Sequence, residues 1–222
     1  MLESLFFETE FNPIIKAGSL DYVWIDLSKN NVFLDKVNTN SSEDFSECVN
    51  QYLNDNNAKV AIGGYNEPRN IYKRSNNFNS SELEERFIHL GIDLWTNAGV
   101  PIFAPLEGKI HSFKNNATEG NYGPTIILEH NLKGNIFYTL YGHLTTRSLE
   151  GLKVGRTICL GETFAVIGKS TENGDYPPHL HFQVIKDIKG MVGDFPGVTS
   201  LTNQKADLRN CLDPNLILKI RL

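Results

Sequence analysis

The chain has 222 residues, 40% hydrophobic and 21% charged, enough for one large domain or one domain with an extension. Its net charge of −5, with no run of Lys or Arg, argues against nucleic acid as a partner. No apolar stretch approaches the roughly 18–20 residues of a membrane span. Cys48, Cys159 and Cys211 are odd in number, widely spaced and without a Cys-x-x-Cys pair, so reduced thiols are expected.

Residues 1–15 carry no Lys or Arg and lack the apolar core of about 7–15 residues that export signals need, so a cytoplasmic location is expected. Asp21–Asp26 reads as a strand. Ser41–Asn57 reads as a helix: Phe45, Val49, Tyr52 and Leu53 fall on one face, and Ser41 with Asp44 can cap its start. Ala58–Ile62 reads as a second strand stopped by Gly63-Gly64, and the polar stretch Arg74–Ser81 as a loop. Residues 1–83 are therefore predicted to form a small α/β extension. Residues 84–190 read as short strands separated by Gly, Pro and Asn, clearest at Thr125–His130, Ile136–Tyr141, Thr163–Ile167 and Leu180–Ile185. The expected fold is mainly β, with an antiparallel core. Glycines punctuate a ribbon around residues 152–168, and Pro105–Ser112 and Leu160–Lys169 repeat weakly as two Gly-turned hairpins. Residues 191–222 are expected as a tail packed on the core, with a short helix or turn over Asp213–Leu218.

Three stretches hold most of the chemistry: His89-x-Gly91-x-Asp93, Tyr141-x-His143-Leu144 and His179-Leu180-His181. They contain four of the six histidines. Histidine and carboxylate are ligands for Zn²⁺, and three protein ligands leave a position open for catalysis. Five candidate groups exceed that requirement, so two histidines are free to move protons or hold charge. Ile88, Leu90, Ile92 and Leu94 alternate with His89, Gly91 and Asp93, which is strand periodicity. A straight strand would separate His89 from Asp93 by about 13 Å. Gly91, at the midpoint, can supply the bend or bulge that brings them together. A helical turn would also do so, but the alternation and the β-branched residues oppose it. His179 and His181 share a strand face about 7 Å apart.

The order His-x-x-x-Asp, Tyr-x-His-Leu, His-x-His resembles the lysostaphin/LytM-type zinc metallopeptidases, best known for cutting peptide cross-links of bacterial cell walls. The resemblance spans roughly residues 85–190. Each motif alone is weak, and the three in order are strong. The segment Val100–Ile110 and the glycines of the 152–168 ribbon fit it too. Tyr122–Leu128 and Gly193–Val198 resemble a subgroup that includes domains fused to aminotransferase and phosphotransferase units. The resemblance implies an antiparallel β core of lysostaphin/LytM type with one Zn²⁺ per chain. It implies His89, Asp93 and His181 as metal ligands and His143 and His179 as the catalytic pair. Which of the two is the general base the sequence leaves open, with His179, next to a ligand, preferred. A peptide with Gly or Ala near the scissile bond, short or wall-derived, is the implied substrate.

Bland readings stand beside these. A single buried His is usually a satisfied structural residue, which holds for His111 and His130. Tyr141 can either pack in the core or touch the site. Asn121 and Tyr122 read as a loop near the cleft, and Pro177-Pro178 fixes the start of the following strand. Cys159 lacks a nucleophile's signature. A lipoyl- or biotinyl-type carrier would explain the ribbon but leaves four histidines idle and shows no Lys at a turn tip. An inactive zinc-binding scaffold would be expected to lack a ligand or catalytic His, and none is missing. Self-association and the role of residues 1–83 in covering the cleft are left open by the sequence.

Overall fold

Alternation along His179–Ile185 decides the architecture. Leu180, Phe182 and Val184 enter the main apolar core, while His179, His181 and Gln183 project to the other face of the sheet. A computed structural model describes residues 2–32, 34–71 and 85–221. The polar stretch Arg74–Ser81 lies outside the described residues.

In chain order the N-terminal part comprises α1 (Leu2–Glu8), β1 (Tyr22–Ile25), α2 (Ser42–Asp55) and β2 (Val60–Gly63). Then follow β3 (Ile88–His89), β4 (Ile92–Trp95), β5 (Pro101–Phe103), β6 (Gly108–Asn116), β7 (Gly123–Leu132), β8 (Asn135–Gly142), β9 (Thr157–Ile158), β10 (Thr163–Val166) and β11 (His179–Ile185). The chain ends with β12 (Val198–Thr199), α3 (Gln204–Asn210), β13 (Cys211–Leu212) and α4 (Asn215–Leu218). The main sheet runs β1-β2-β4-β11-β8-β7-β6-β9, with β13 also paired to β11. All its ladders are antiparallel except β1 with β2. The fold is mainly β with an antiparallel core, as the sequence predicts.

The predicted strand–helix–strand unit is present. Ser41 Oγ accepts the backbone N–H of Asp44 (3.1 Å) and caps α2. Phe45, Val49 and Leu53, four apart, are buried against Ile25, Ala61 and Trp95. This unit is continuous with the core: Ala61, Ile62 and Gly63 pair with Trp95, Leu94 and Asp93. The opposite face carries the larger core, in which Ile92, Leu94, Leu180, Phe182, Val184 and Tyr141 are all buried. Each such side chain contributes about 1.5–3 kcal/mol by leaving water.

The Gly-turned ribbon differs from expectation. β9 pairs with β6 and β10 pairs with β5, so residues 152–168 do not close on themselves as a hairpin. The same pairing breaks the weak repeat: Leu160–Lys169 and Pro105–Ser112 are each completed by distant strands. Local turn residues report a chain reversal; they do not report which strand lies alongside. The tail is stitched in at two places, β12 on β3 and β13 on β11. Asp213–Leu218 contains the expected short helix.

Candidate metal centre and cleft

The run from His89 to Asp93 bends where predicted. The strand is interrupted between β3 and β4 at Leu90-Gly91, and His89 Nε2 comes within 3.3 Å of Asp93 Oδ1. Gly91 has a second reason to be glycine. A Cβ there would lie 2.6 Å from His181 Cε1 and 2.8 Å from the Phe182 carbonyl oxygen. β11 runs antiparallel to β4 with His181 directly opposite Asp93, and His181 Nδ1 sits 3.1 Å from Asp93 Oδ1. His89 Nε2 and His181 Nδ1 are 3.0 Å apart. The three buried side chains thus form a triangle of donor atoms.

The hydrogen bonds around this triangle fix its protonation. His89 Nδ1–H donates to the Gly64 carbonyl (2.8 Å), so Nε2 presents a lone pair. Gln183 donates its amide to Pro196 O (3.1 Å), which turns its Oε1 toward His181 Nε2 (3.1 Å). His181 therefore donates from Nε2 and also presents a lone pair from Nδ1. Burial, then the nearby Arg69 guanidinium, pushes the His89 imidazole down to about 4, so it is neutral near pH 7. Burial opposes ionisation of Asp93. The Arg69 guanidinium, which donates to Oδ2, outweighs it and holds the carboxyl well below its usual range. Two bare nitrogens and a carboxylate oxygen facing one another at 3.0–3.3 Å repel unless a cation lies between them. Donors around tetrahedral Zn²⁺ at ~2.0–2.1 Å are roughly 3.3 Å apart. Neutral imidazoles plus carboxylate are its ligand chemistry, so the residues fit the ion.

His143 and His179 stand beside the triangle. β8 ends at Gly142, opposite His181, and the next residue turns into the left-handed region (His143 φ 62°), which carries its ring into the cleft. His143 Nδ1–H donates to Asn173 O and His179 Nδ1–H to Pro177 O, both at 2.7 Å. Each ring is therefore locked with Nε2 as its unprotonated nitrogen. The two rings lie 4.1 Å apart, and His179 Nε2 is 3.9 Å from Asp93 Oδ1. Trp95 stacks on His179 at 3.9 Å and 19°, fixing its plane. Burial pushes His179 down to about 4, and burial together with the adjacent His179 pushes His143 well below the ordinary histidine value.

All five residues singled out in the sequence meet within this region. His143, His179, Asp93 and His181 line a cavity of about 390 Å³. Its other walls include Ile71, Tyr122, Tyr176 and the Met191–Val198 segment of the tail. Tyr141 belongs to the core: it is buried on the far side of the sheet, its Oη 3.0 Å from Thr139 Oγ1. His130 is likewise a buried structural residue, held by Glu107 O and Thr139 Oγ1.

Several supporting residues escaped the sequence reading. Gln183 and Trp95 sit two residues beyond His181 and Asp93 on the same strand faces, so alternation alone could have found them. Arg69, Gly64 and the carbonyls of Asn173 and Pro177 carry no sequence signal. They act through a buried guanidinium and backbone oxygens supplied by remote chain segments.

Residues 87–192 match the family described as Peptidase family M23. Over 121 residues the chain is 31% identical to peptidoglycan DD-endopeptidase ShyB of Vibrio cholerae serotype O1, covering 53% of this chain and 26% of that protein. It thus spans about a quarter of the length of that curated relative. Among solved structures it is similar to a zinc-containing peptidase from Vibrio cholerae (28% identity, 44% of this chain and 27% of that chain, TM-score 0.35). It is also similar to the catalytic domain of lysostaphin from Staphylococcus simulans (27% identity, 60% of this chain and 80% of that chain, TM-score 0.41).

Proposed function

We propose that the chain is a lysostaphin/LytM-type zinc-dependent metallo-endopeptidase with His89, Asp93 and His181 as ligands, a reading supported by the match of residues 87–192 to peptidase family M23. The observation that carries this reading is the convergence of two lone-pair nitrogens and a carboxylate oxygen whose other polar atoms are already bonded elsewhere.

A Zn²⁺ ion held there supplies Lewis acidity, polarising a scissile carbonyl and making water nucleophilic near neutral pH. The chain's own residues do the rest. His179 Nε2, the nearer of the pair to the ligand triangle, takes the proton of the attacking water as general base. Its Nδ1–H bond to Pro177 O and the Trp95 face prevent the ring from turning as it becomes charged. As negative charge develops, His143 takes up a proton from solvent at Nε2 and donates it in a hydrogen bond to the oxyanion, with the Asn173 carbonyl stabilising the charged ring. His179 meanwhile passes the water proton to the leaving amine. Burial keeps both rings neutral beforehand, and a neutral Nε2 is what a base requires.

The substrate in this reading is a peptide cut near Gly or Ala, either a short peptide or a wall-derived fragment. The wall-peptide part draws support from the printed activity of the Vibrio relative. The location in this reading is cytoplasmic, in keeping with three free cysteines; no described helix is long and apolar enough to cross a membrane. The deciding experiment compares a library of Gly- and Ala-containing peptides with purified sacculi, each with and without chelator. Chelator-sensitive cleavage of short peptides is expected. Lysis of sacculi without peptide cleavage would restore the wall-hydrolase alternative, and inactivity on both with full zinc occupancy would favour a binding scaffold.

A further inference from the structure

Arg69 is fully buried, an unusual position for a guanidinium. Its Nη1 donates to Asp93 Oδ2, its Nε to Glu67 Oε2, and its Nη2 lies 3.3 Å from Gly64 O. The same Gly64 carbonyl accepts His89 Nδ1–H. Residues 66–69 run beside the ligand strand, with Asn66 N–H on His89 O, His89 N–H on Glu67 O and Arg69 N–H on Phe87 O at 2.8–3.0 Å. Gly63 leaves room for the guanidinium: a Cβ there would lie 2.7 Å from Arg69 Nη2. Two of the three ligand side chains are thus held by residues that precede the family-matched segment 87–192.

We propose that Arg69 is a positioning residue of the metal site. By engaging Asp93 Oδ2 and Glu67 together, it presents Oδ1 alone to the metal and makes the N-terminal unit part of the centre. This rests on the reading of His89, Asp93 and His181 as ligands. Two physical effects oppose each other here. A guanidinium beside a dication repels it, so charge alone predicts tighter metal binding when Arg69 is removed. Orientation predicts the reverse, because a carboxylate freed at Oδ2 can rotate away or bind through both oxygens. A residue bonded to a metal ligand commonly changes affinity by about 10–100-fold when lost. A lysine cannot replace it fully, since a single ammonium lacks the fork that spans two carboxylates.

The test measures Zn²⁺ affinity by chelator competition and the visible spectrum of the Co²⁺-substituted protein, with far-UV circular dichroism as the fold check. Removing Arg69 alone strands two buried carboxylates, so Arg69→Met is paired with Arg69→Met/Glu67→Met, which removes both buried charges of that ion pair. About 10–100-fold weaker Zn²⁺ binding in the folded double variant is expected, with a changed Co²⁺ band and partial recovery in Arg69→Lys. Unchanged or tighter binding with an unaltered Co²⁺ spectrum would overturn the proposal while leaving the peptidase reading intact. A wild-type protein that binds neither metal would overturn both.

Discussion

His181 and Asp93 face each other across the ladder between β11 and β4, with Nδ1 3.1 Å from Oδ1. A cross-strand register therefore makes the candidate metal centre, and slippage of either strand by one residue would send its own side chain to the opposite face. This ties zinc binding to the folded sheet. Protein purified without added metal should contain about one equivalent of zinc. His89→Ala and Asp93→Ala should each lose most of it by elemental analysis. Full zinc retention in both would sink the ligand assignment.

Ligands and proton carriers separate in a second experiment. His143 and His179 bond backbone carbonyls through Nδ1, and neither is a corner of the donor triangle. His143→Ala and His179→Ala should keep the metal yet lose peptide hydrolysis by about 100-fold or more, the range for general acid–base groups. Loss of zinc from either would make that residue a ligand. Undiminished turnover in both would refute the proton-transfer scheme.

The five residues that converge on the cleft were legible because their types, order and strand alternation are local facts. So was the bend at Gly91, since only a broken strand brings His89 to Asp93. The supports were not. Arg69 reaches Asp93 across 24 positions of chain, and nothing in Glu67-Pro68-Arg69 announces a buried ion pair. Gly64, Asn173 and Pro177 act through carbonyl oxygens, which every residue possesses. The ribbon at residues 152–168 was misjudged for a related reason: glycines mark turns, whereas the partners of β9 and β10 are β6 and β5, distant in the chain. Local pattern therefore locates the chemistry, and tertiary packing chooses what holds it.

Gly91 offers a steric test. Alanine would place its Cβ 2.6 Å from His181 Cε1 and 2.8 Å from Phe182 O, so either the ligand ring or the β11 backbone must move. Gly91→Ala should be destabilised by about 1–3 kcal/mol in urea, the usual cost of overpacking, and should bind Zn²⁺ more weakly. Wild-type affinity together with wild-type stability would show that the site is looser than the structure describes.

The last prediction concerns acid. His130 is buried, with Nδ1–H on Glu107 O (2.8 Å), Nε2 2.7 Å from Thr139 Oγ1 and the ring against Phe137. Burial lowers it from the ordinary 6.5 to about 4 in the folded chain. Between those values the unfolded chain binds a proton that the folded chain refuses. The contribution to stability is therefore complete above about pH 6.5 and is lost as pH falls toward 4. From pH 7.5 to 5 this one group should cost about 2 kcal/mol. The metal-site histidines also respond to acid, so the measurement is a comparison of wild type with His130→Phe, in which their share cancels. Urea unfolding at the two pH values should show the variant losing about 2 kcal/mol less than wild type. Equal losses would mean that His130 takes up its proton without opening the core, and that its burial imposes no acid sensitivity.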